Sequence, residues 1–407
     1  MTMSLTHSTL TLSPPDSTME MLGLFQGSQG FVKKTPLDEF IRGKGGRDRG
    51  LSMNRDAQQV PAPSSGGRPA DLLDRIFGEP RPLRTLDLLP PDQPLRPVPP
   101  IRRWRYNGLV RLLAFAAILV VGAIVVGFGA TVVLNSLGMS TDAILDRFAG
   151  LVQVTAIVGV VLAYWLVGRF VEQRRPLFEL AASRAGRGLL CGLGLGVVLM
   201  LGCATLLGVL GVFRIEGFNA GYSPWAALLS LGFSAAITEE IAFRGILFRL
   251  VEGTLGSWIA IAVSALVFGA AHLGNPEATW FGAIGIALEA GVLFAALYAF
   301  TRSLWTVMGL HFAWNVVQGP VLGIVVSGSS AQGNGFVQSS LTGPAWLSGG
   351  QFGIEASAVT IVVLTALGGW LLVELARRGL IVQPFWVRHR LLGQRPDLGR
   401  VVRDPRG

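Results

Sequence analysis

Three short patterns put ionisable side chains where the surrounding chain is apolar. Glu239 and Glu240 precede Arg244 in the stretch Ala235–Arg244, Phe268 precedes His272, and His311 precedes Asn315. The chain has 4 histidines; His272 and His311 sit in apolar stretches, whereas His7 and His389 lie in polar tails. On a helix, Glu240 and Arg244 share one face in the favourable order, acid before base, so that pair can neutralise itself. Glu239 is turned about 100° away, without a local partner. Phe268 with His272, and His311 with Asn315, are likewise four apart, so each helix presents two side chains on one stripe. Brought together, these helices surround one pocket with a carboxylate, two imidazoles and a carboxamide, a set suited to moving protons. A charge at the centre of a membrane helix costs roughly 2.5–3.5 kcal/mol, and interhelical hydrogen bonding can be made from Ser, Thr and Asn at lower cost. Ionisable groups at that depth therefore mark chemistry or a pathway, and a Glu/His relay for ions or protons is the competing functional reading.

The elements that must position these groups are membrane helices. Of 407 residues, 51% are hydrophobic and 14% charged, with a mean hydropathy of +0.52; a soluble domain carries about 25% charged residues. Leu112–Leu134 is long enough as a helix to cross a bilayer. Further apolar blocks lie at about 151–168, 188–213, 225–248, 255–272, 280–300, 303–326 and 357–375. The expected fold is all-α: a polytopic bundle of about eight transmembrane helices over residues 107–376, with its core at about 190–325. Residues 1–106 read as a disordered, Pro-rich cytoplasmic extension, and 377–407 as a basic cytoplasmic tail. Within the extension, Ala70–Phe77 has Leu72, Leu73, Ile76 and Phe77 spaced for a short amphipathic helix, and Pro80–Pro100 reads as a stiff spacer. The whole region is read as a tether.

The net charge is +9. Arginines gather in the segment Arg169–Arg187 and beyond Arg377, which by the positive-inside rule puts both termini in the cytoplasm and accounts for the basic balance without nucleic acid. Those inner loops, with no cleavable targeting segment in view, suit a bacterial plasma membrane, and an organellar one fits them as well. Cys191 and Cys203, in one apolar block, read as small hydrophobes and not as a disulfide. Glu289, among Ala and Gly in a later block, reads as a helix–helix hydrogen-bonding group or a support for the pocket. Glu355 stands just after a Gly/Ser-rich stretch, Ser327–Gly350, that reads as an outer connector or a cover for the pocket.

In their order and helical setting, Glu239-Glu240-x-x-x-Arg244, Phe268-x-x-x-His272 and His311-x-x-x-Asn315 resemble the three motifs of the CPBP family. These are intramembrane proteases related to CAAX prenyl endopeptidases and including the bacterial Abi proteins. The resemblance implies an endopeptidase acting on a membrane-associated peptide or protein, prenylated or not. No Ser-His-Asp or Cys-His set is visible, so water is the natural nucleophile. Glu239 then acts as general base, His272 orients or activates the water, and His311 with Asn315 binds the oxyanion. Glu240 belongs to the same catalytic set, while Arg244 and Phe268 support it. Glu239, His272 and His311 also make a three-ligand zinc set, in which case Glu240 becomes the base and the enzyme is a metalloprotease; a metal-free glutamate mechanism stands beside it. A proton- or ion-coupled transporter and a non-catalytic membrane scaffold are the alternatives.

Overall fold

The computed structural model describes residues 72–77, 108–136, 149–172, 174, 177–329 and 334–387. The expectations for residues 1–69, for the Pro80–Pro100 spacer and for the tail beyond 387 fall outside them. The described elements belong to the unit Gly67–Gly407.

In chain order the helices are α1 (Leu72–Phe77), α2 (Gly108–Ser136), α3 (Ala149–Val171), α4 (Ala185–Val209), α5 (Trp225–Leu255), α6 (Ser257–Ala271), α7 (Trp280–Thr301), α8 (Leu304–Val316) and α9 (Ala358–Arg377). Among the described residues, seven helices are long and apolar enough to cross a membrane: α2 to α7 and α9. The remaining block of the sequence forms α8, which runs on as a π-helical turn through Val321. α8 carries the polar Thr306, His311 and Asn315, with Gln318 on its π-helical continuation, and all of them are buried. Its cost in lipid is met by enclosure: α4 covers one side of it and α5 another.

The α4–α8 contact is unusually close. A Cβ at Gly192 would lie 2.1 Å from the Thr306 carbonyl oxygen, and one at Gly196 2.5 Å from that of Leu310. Small residues at this spacing let the two backbones meet, the usual basis of helix association in lipid. At the bundle centre, 78% of the apolar window of α7 is buried, against 11% for α2, whose Val121, Ile124, Val125 and Phe128 are exposed as a lipid-facing surface. Gly256, at φ +85°, joins α5 directly to α6, and the Val382 carbonyl packs where a Cβ would stand.

α5, α7 and α8 each carry π-helical turns: Leu228–Ser234 and Ile241–Phe248 in α5, Ala287–Gly291 in α7, and Val317–Val321 after α8. Such turns offset the helix face and recur at functional sites. Here they flank Glu239-Glu240 on both sides.

Two features extend the all-α expectation. Strands β1 (Phe213–Phe218) and β2 (Val337–Leu341) pair antiparallel with an irregularity between Ile215 and Gly217, which gives the described part of the connection after α8 a strand of its own. In addition α1 packs on the bundle. Arg187 donates to the Arg75 and Ile76 carbonyls at 2.6 and 3.2 Å, Arg378 pairs with Asp74 at 2.7 Å, and Phe77 meets the Phe300 ring edge-on. Leu73 and Phe77 face the core, whereas Leu72 is exposed.

Candidate active site

Glu240 is fully buried and accepts on one oxygen, Oε1, from two directions. Arg244 Nη1 lies 3.0 Å away along the same helix, and His311 Nδ1 lies 2.8 Å away from α8. Because a carboxylate only accepts, His311 carries its hydrogen on Nδ1 and turns Nε2 away from Glu240. Arg244, also fully buried, reaches the Ala290 and Gly291 carbonyls of α7 at 3.3 and 3.4 Å. Its guanidinium stacks 4.4 Å from the centre of the Phe268 ring and 5.2 Å from that of Phe294. One arginine thus ties α5, α6 and α7 together, a task for a planar fork with five donors that a lysine could not perform.

Phe268 is the centre of the aromatic layer. Besides Arg244 it meets the His272 ring at 4.8 Å and the His311 ring at 6.2 Å between centroids. Both histidines therefore border one buried phenylalanine. His272 Nδ1 lies 2.8 Å from the Phe268 carbonyl oxygen, so this nitrogen too bears the hydrogen, and in the neutral ring Nε2 has its lone pair free. His272 stands at the last turn of α6, where the chain leaves the helix, and is 9% exposed.

Glu239 is half-buried and acts electrostatically on both His311 and Arg244. Its Oε2 is buried without a hydrogen-bond partner among the described residues. Asn315 is held by a 2.8 Å bond from Nδ2 to the Leu231 carbonyl in the first π-turn of α5, which leaves one amide hydrogen unused.

The seven residues singled out in the sequence thus divide in two. Glu240, Arg244, Phe268 and His311 form one interlocked set, joined at its edges by His272 and Asn315. Glu239 stands beside this set, held by no hydrogen bond or ion pair among the described residues, and Oε2 of each glutamate is buried without a partner. The sequence pattern placed Glu240 with Arg244 but gave no sign that His311 completes the pair. For zinc, Glu239, His272 and His311 form no group able to hold a metal, nor do any other three His, Cys, Asp or Glu side chains among the described residues. His311 and His272 each hold Nδ1 against a protein oxygen and leave Nε2 open.

A second buried network lies beyond the end of α3, where arginines and two glutamates, Glu172 and Glu179, follow one another in the sequence. Arg174 bonds Glu172 at 2.8 Å and Glu179 at 2.5 and 3.1 Å, Arg249 forms an ion pair with Glu172 at 2.9 Å, and Tyr164 donates to Glu179. Burial alone would raise the Glu179 carboxyl, but the charge and hydrogen bonds of Arg174 hold it down at about 2. Glu172 is lowered against the same burial effect by Arg249, Arg174 and Arg111. Glu289 is fully buried on the π-turn of α7, and neither of its oxygens has a hydrogen-bond partner among the described residues. Cys191 and Cys203 are free thiols.

Residues 221–317 match the family model described as type II CAAX prenyl endopeptidase Rce1-like. That span runs from just before α5 to just past Asn315 and contains all three motifs. No curated protein and no solved structure matches the chain.

Proposed function

Taking as premise that the chain belongs to the CPBP family of CAAX-type proteases and is a multi-pass membrane protease, we propose that it cleaves its peptide substrate with a water activated by Glu239. The observation that carries this reading is the contrast between neighbouring carboxylates. Glu240 is held through Oε1 by Arg244 and His311, while no hydrogen bond or ion pair holds Glu239 among the described residues, although each of the two has a buried Oε2 without a partner. A base must be free to turn onto its water and to take up its proton, and a carboxylate tied to Arg244 and His311 is less suited to this than Glu239, which neither of them holds.

In the proposed reaction Glu239 removes a proton from water as the oxygen attacks the scissile carbonyl, and returns that proton to the leaving amine. His272 accepts a hydrogen bond from the same water through Nε2 and so fixes its direction. His311, anchored at Nδ1, presents Nε2 to the developing oxyanion and donates from it when doubly protonated; the free amide hydrogen of Asn315 is the second donor. Donors fixed in advance in a dry site are worth several kcal/mol to such a transition state. Arg244 and Phe268 keep the helices in place and touch no reacting atom. No step is assigned to a metal.

The substrate class is proposed to be a prenylated C-terminal peptide, on the strength of the family description alone, with both chain termini in the cytoplasm of a bacterial plasma membrane as the basic loops suggest. The test is a reconstituted protease in liposomes, offered a farnesylated peptide ending in Cys-aliphatic-aliphatic-X and its unlipidated counterpart. Release of the terminal tripeptide from the lipidated form, and its loss in Glu239→Gln, supports the proposal. Cleavage of both forms alike refutes the substrate class, and proton-gradient-dependent uptake without cleavage refutes the chemistry.

A further inference from the structure

We propose that Glu355, outside the family-matched segment, is a positioning residue that sets the bearing of His272 relative to His311; the inference rests on the hydrolytic reading above. Glu355 is 4% exposed and lies just before α9. Its Oε1 accepts from the Trp314 indole at 3.0 Å. Its Oε2 accepts from Gln318 Nε2 at 3.2 Å and from the backbone nitrogen and hydroxyl of Ser327 at 2.5 and 2.9 Å. Trp314 and Gln318 flank Asn315 on α8 and continue the helix that carries His311. Ser327 opens the connection after α8 and is held at φ +51°, a left-handed conformation that a non-glycine residue keeps only when its surroundings enforce it.

From Ser327 the chain of contacts runs to the other histidine. The Ser327 carbonyl accepts from Asn275 Nδ2 at 2.6 Å, and the Asn275 backbone nitrogen donates to the His272 carbonyl at 3.2 Å. Gly328, next to Ser327, repeats the tie, its carbonyl accepting from the Glu277 backbone nitrogen at 3.0 Å. His272 is past the last full turn of α6, so its backbone depends on the segment through Glu277, and that segment is fastened to Ser327 and Gly328. Glu355 therefore joins the helix of one imidazole to the anchor of the other.

The chemistry explains why this must be a carboxylate. Four donors converge on two oxygens, and an ionised carboxylate offers about four lone-pair positions and no hydrogen. Glutamine would turn an NH₂ towards donors already in place, and aspartate is one methylene too short to reach α8 and the loop together.

The experiment compares wild type with Glu355→Gln and Asn275→Ala in liposomes, reading kcat and KM separately on the farnesylated peptide. Imidazole NMR of the 4 histidines is read alongside. Asn275→Ala cuts the relay from the loop side and leaves Glu355 untouched, so it stands in if Glu355→Gln fails to fold. The expected result is a fall in kcat of about ten- to a hundredfold, the scale of a displacement near 1 Å, with KM unchanged. The His272 signal shifts and those of His7 and His389 do not. Wild-type kcat in the folded variants, or a loss of kcat with His272 unmoved, overturns the inference. If the wild type itself cleaves nothing, the hydrolytic reading fails, and the His272 signal still decides whether the relay positions that ring.

Discussion

A single methyl group at Gly192 should impair catalysis without touching any of the motif residues. An added Cβ would stand 2.1 Å from the Thr306 carbonyl oxygen, 2.8 Å from the Leu310 nitrogen and 3.0 Å from the Thr306 carbonyl carbon, all backbone atoms of α8. Ordinary contact begins at 3.4 Å, so α4 and α8 must separate by about 1.3 Å or twist by an equivalent amount. Leu310 directly precedes His311, whose 2.8 Å bond to Glu240 is the cross-helix link of the site. A displacement near 1 Å at reacting groups costs about a hundredfold in rate, and overpacking at such a contact costs about 1–3 kcal/mol of stability. The matched control is Gly194→Ala: it lies on the same helix with nothing within 4 Å of its Cβ, and exchanging glycine for alanine in a helix is favourable by up to about 1 kcal/mol. Cleavage and thermal unfolding of both variants in the same detergent give the comparison. Gly192→Ala should lose most of its rate and melt earlier, while Gly194→Ala keeps the wild-type rate. If the two variants behave alike, the close α4–α8 approach does not position His311.

Further expectations can be checked in the same preparations. Glu240→Gln should destabilise the fold by about 3–5 kcal/mol, as when one partner of a buried pair is removed, whereas Glu239→Gln should melt like wild type; equal melting of the two refutes the division of roles. The Glu172–Arg174–Glu179 network contributes stability that is full above pH about 4.3, the ordinary carboxylate value, and is lost as pH falls towards about 2, where Glu179 titrates in the folded protein. Acid unfolding followed by circular dichroism should accordingly be shallower in Glu179→Gln, and superimposable curves would contradict this. Deletion of residues 1–71 should leave stability unchanged, but deletion through 79 removes α1 and uncovers Cys191, whose thiol donates to the Ile76 carbonyl at 3.0 Å; faster maleimide labelling of Cys191 in the longer deletion only is the expected readout. Chelators should leave cleavage unaffected under the metal-free mechanism proposed, and a rate lost to chelation and restored by zinc would overturn that mechanism.

Local spacing made part of the site legible. Glu240 and Arg244 pair at the four-residue interval the sequence implies, and Phe268 and His272 share a stripe as expected. The bond from His311 to Glu240 joins residues 71 positions apart, and no periodicity encodes it. The apolar blocks located the helices because membrane spans announce themselves by length and hydropathy, yet α8 escapes that measure because enclosure by its neighbours lets it carry polar groups. The arginines after α3 conform to a charge bias in sequence, but Arg174 is buried against Glu172 and Glu179, and only the fold reveals such use. β1 and β2 are short, and their partners lie more than a hundred residues apart in the chain. Gln318 extends the His311–Asn315 stripe by a further three residues, a signal that was present; Ser327 and Asn275 carried none.

The central claim is that Glu239 is the base, and the most direct measurement is the single-turnover cleavage rate of purified Glu239→Gln at a melting temperature matched to wild type. Loss of a general base should lower that rate by about 10²–10⁴-fold while peptide binding persists. A folded Glu239→Gln protein that cuts as fast as wild type would contradict the account.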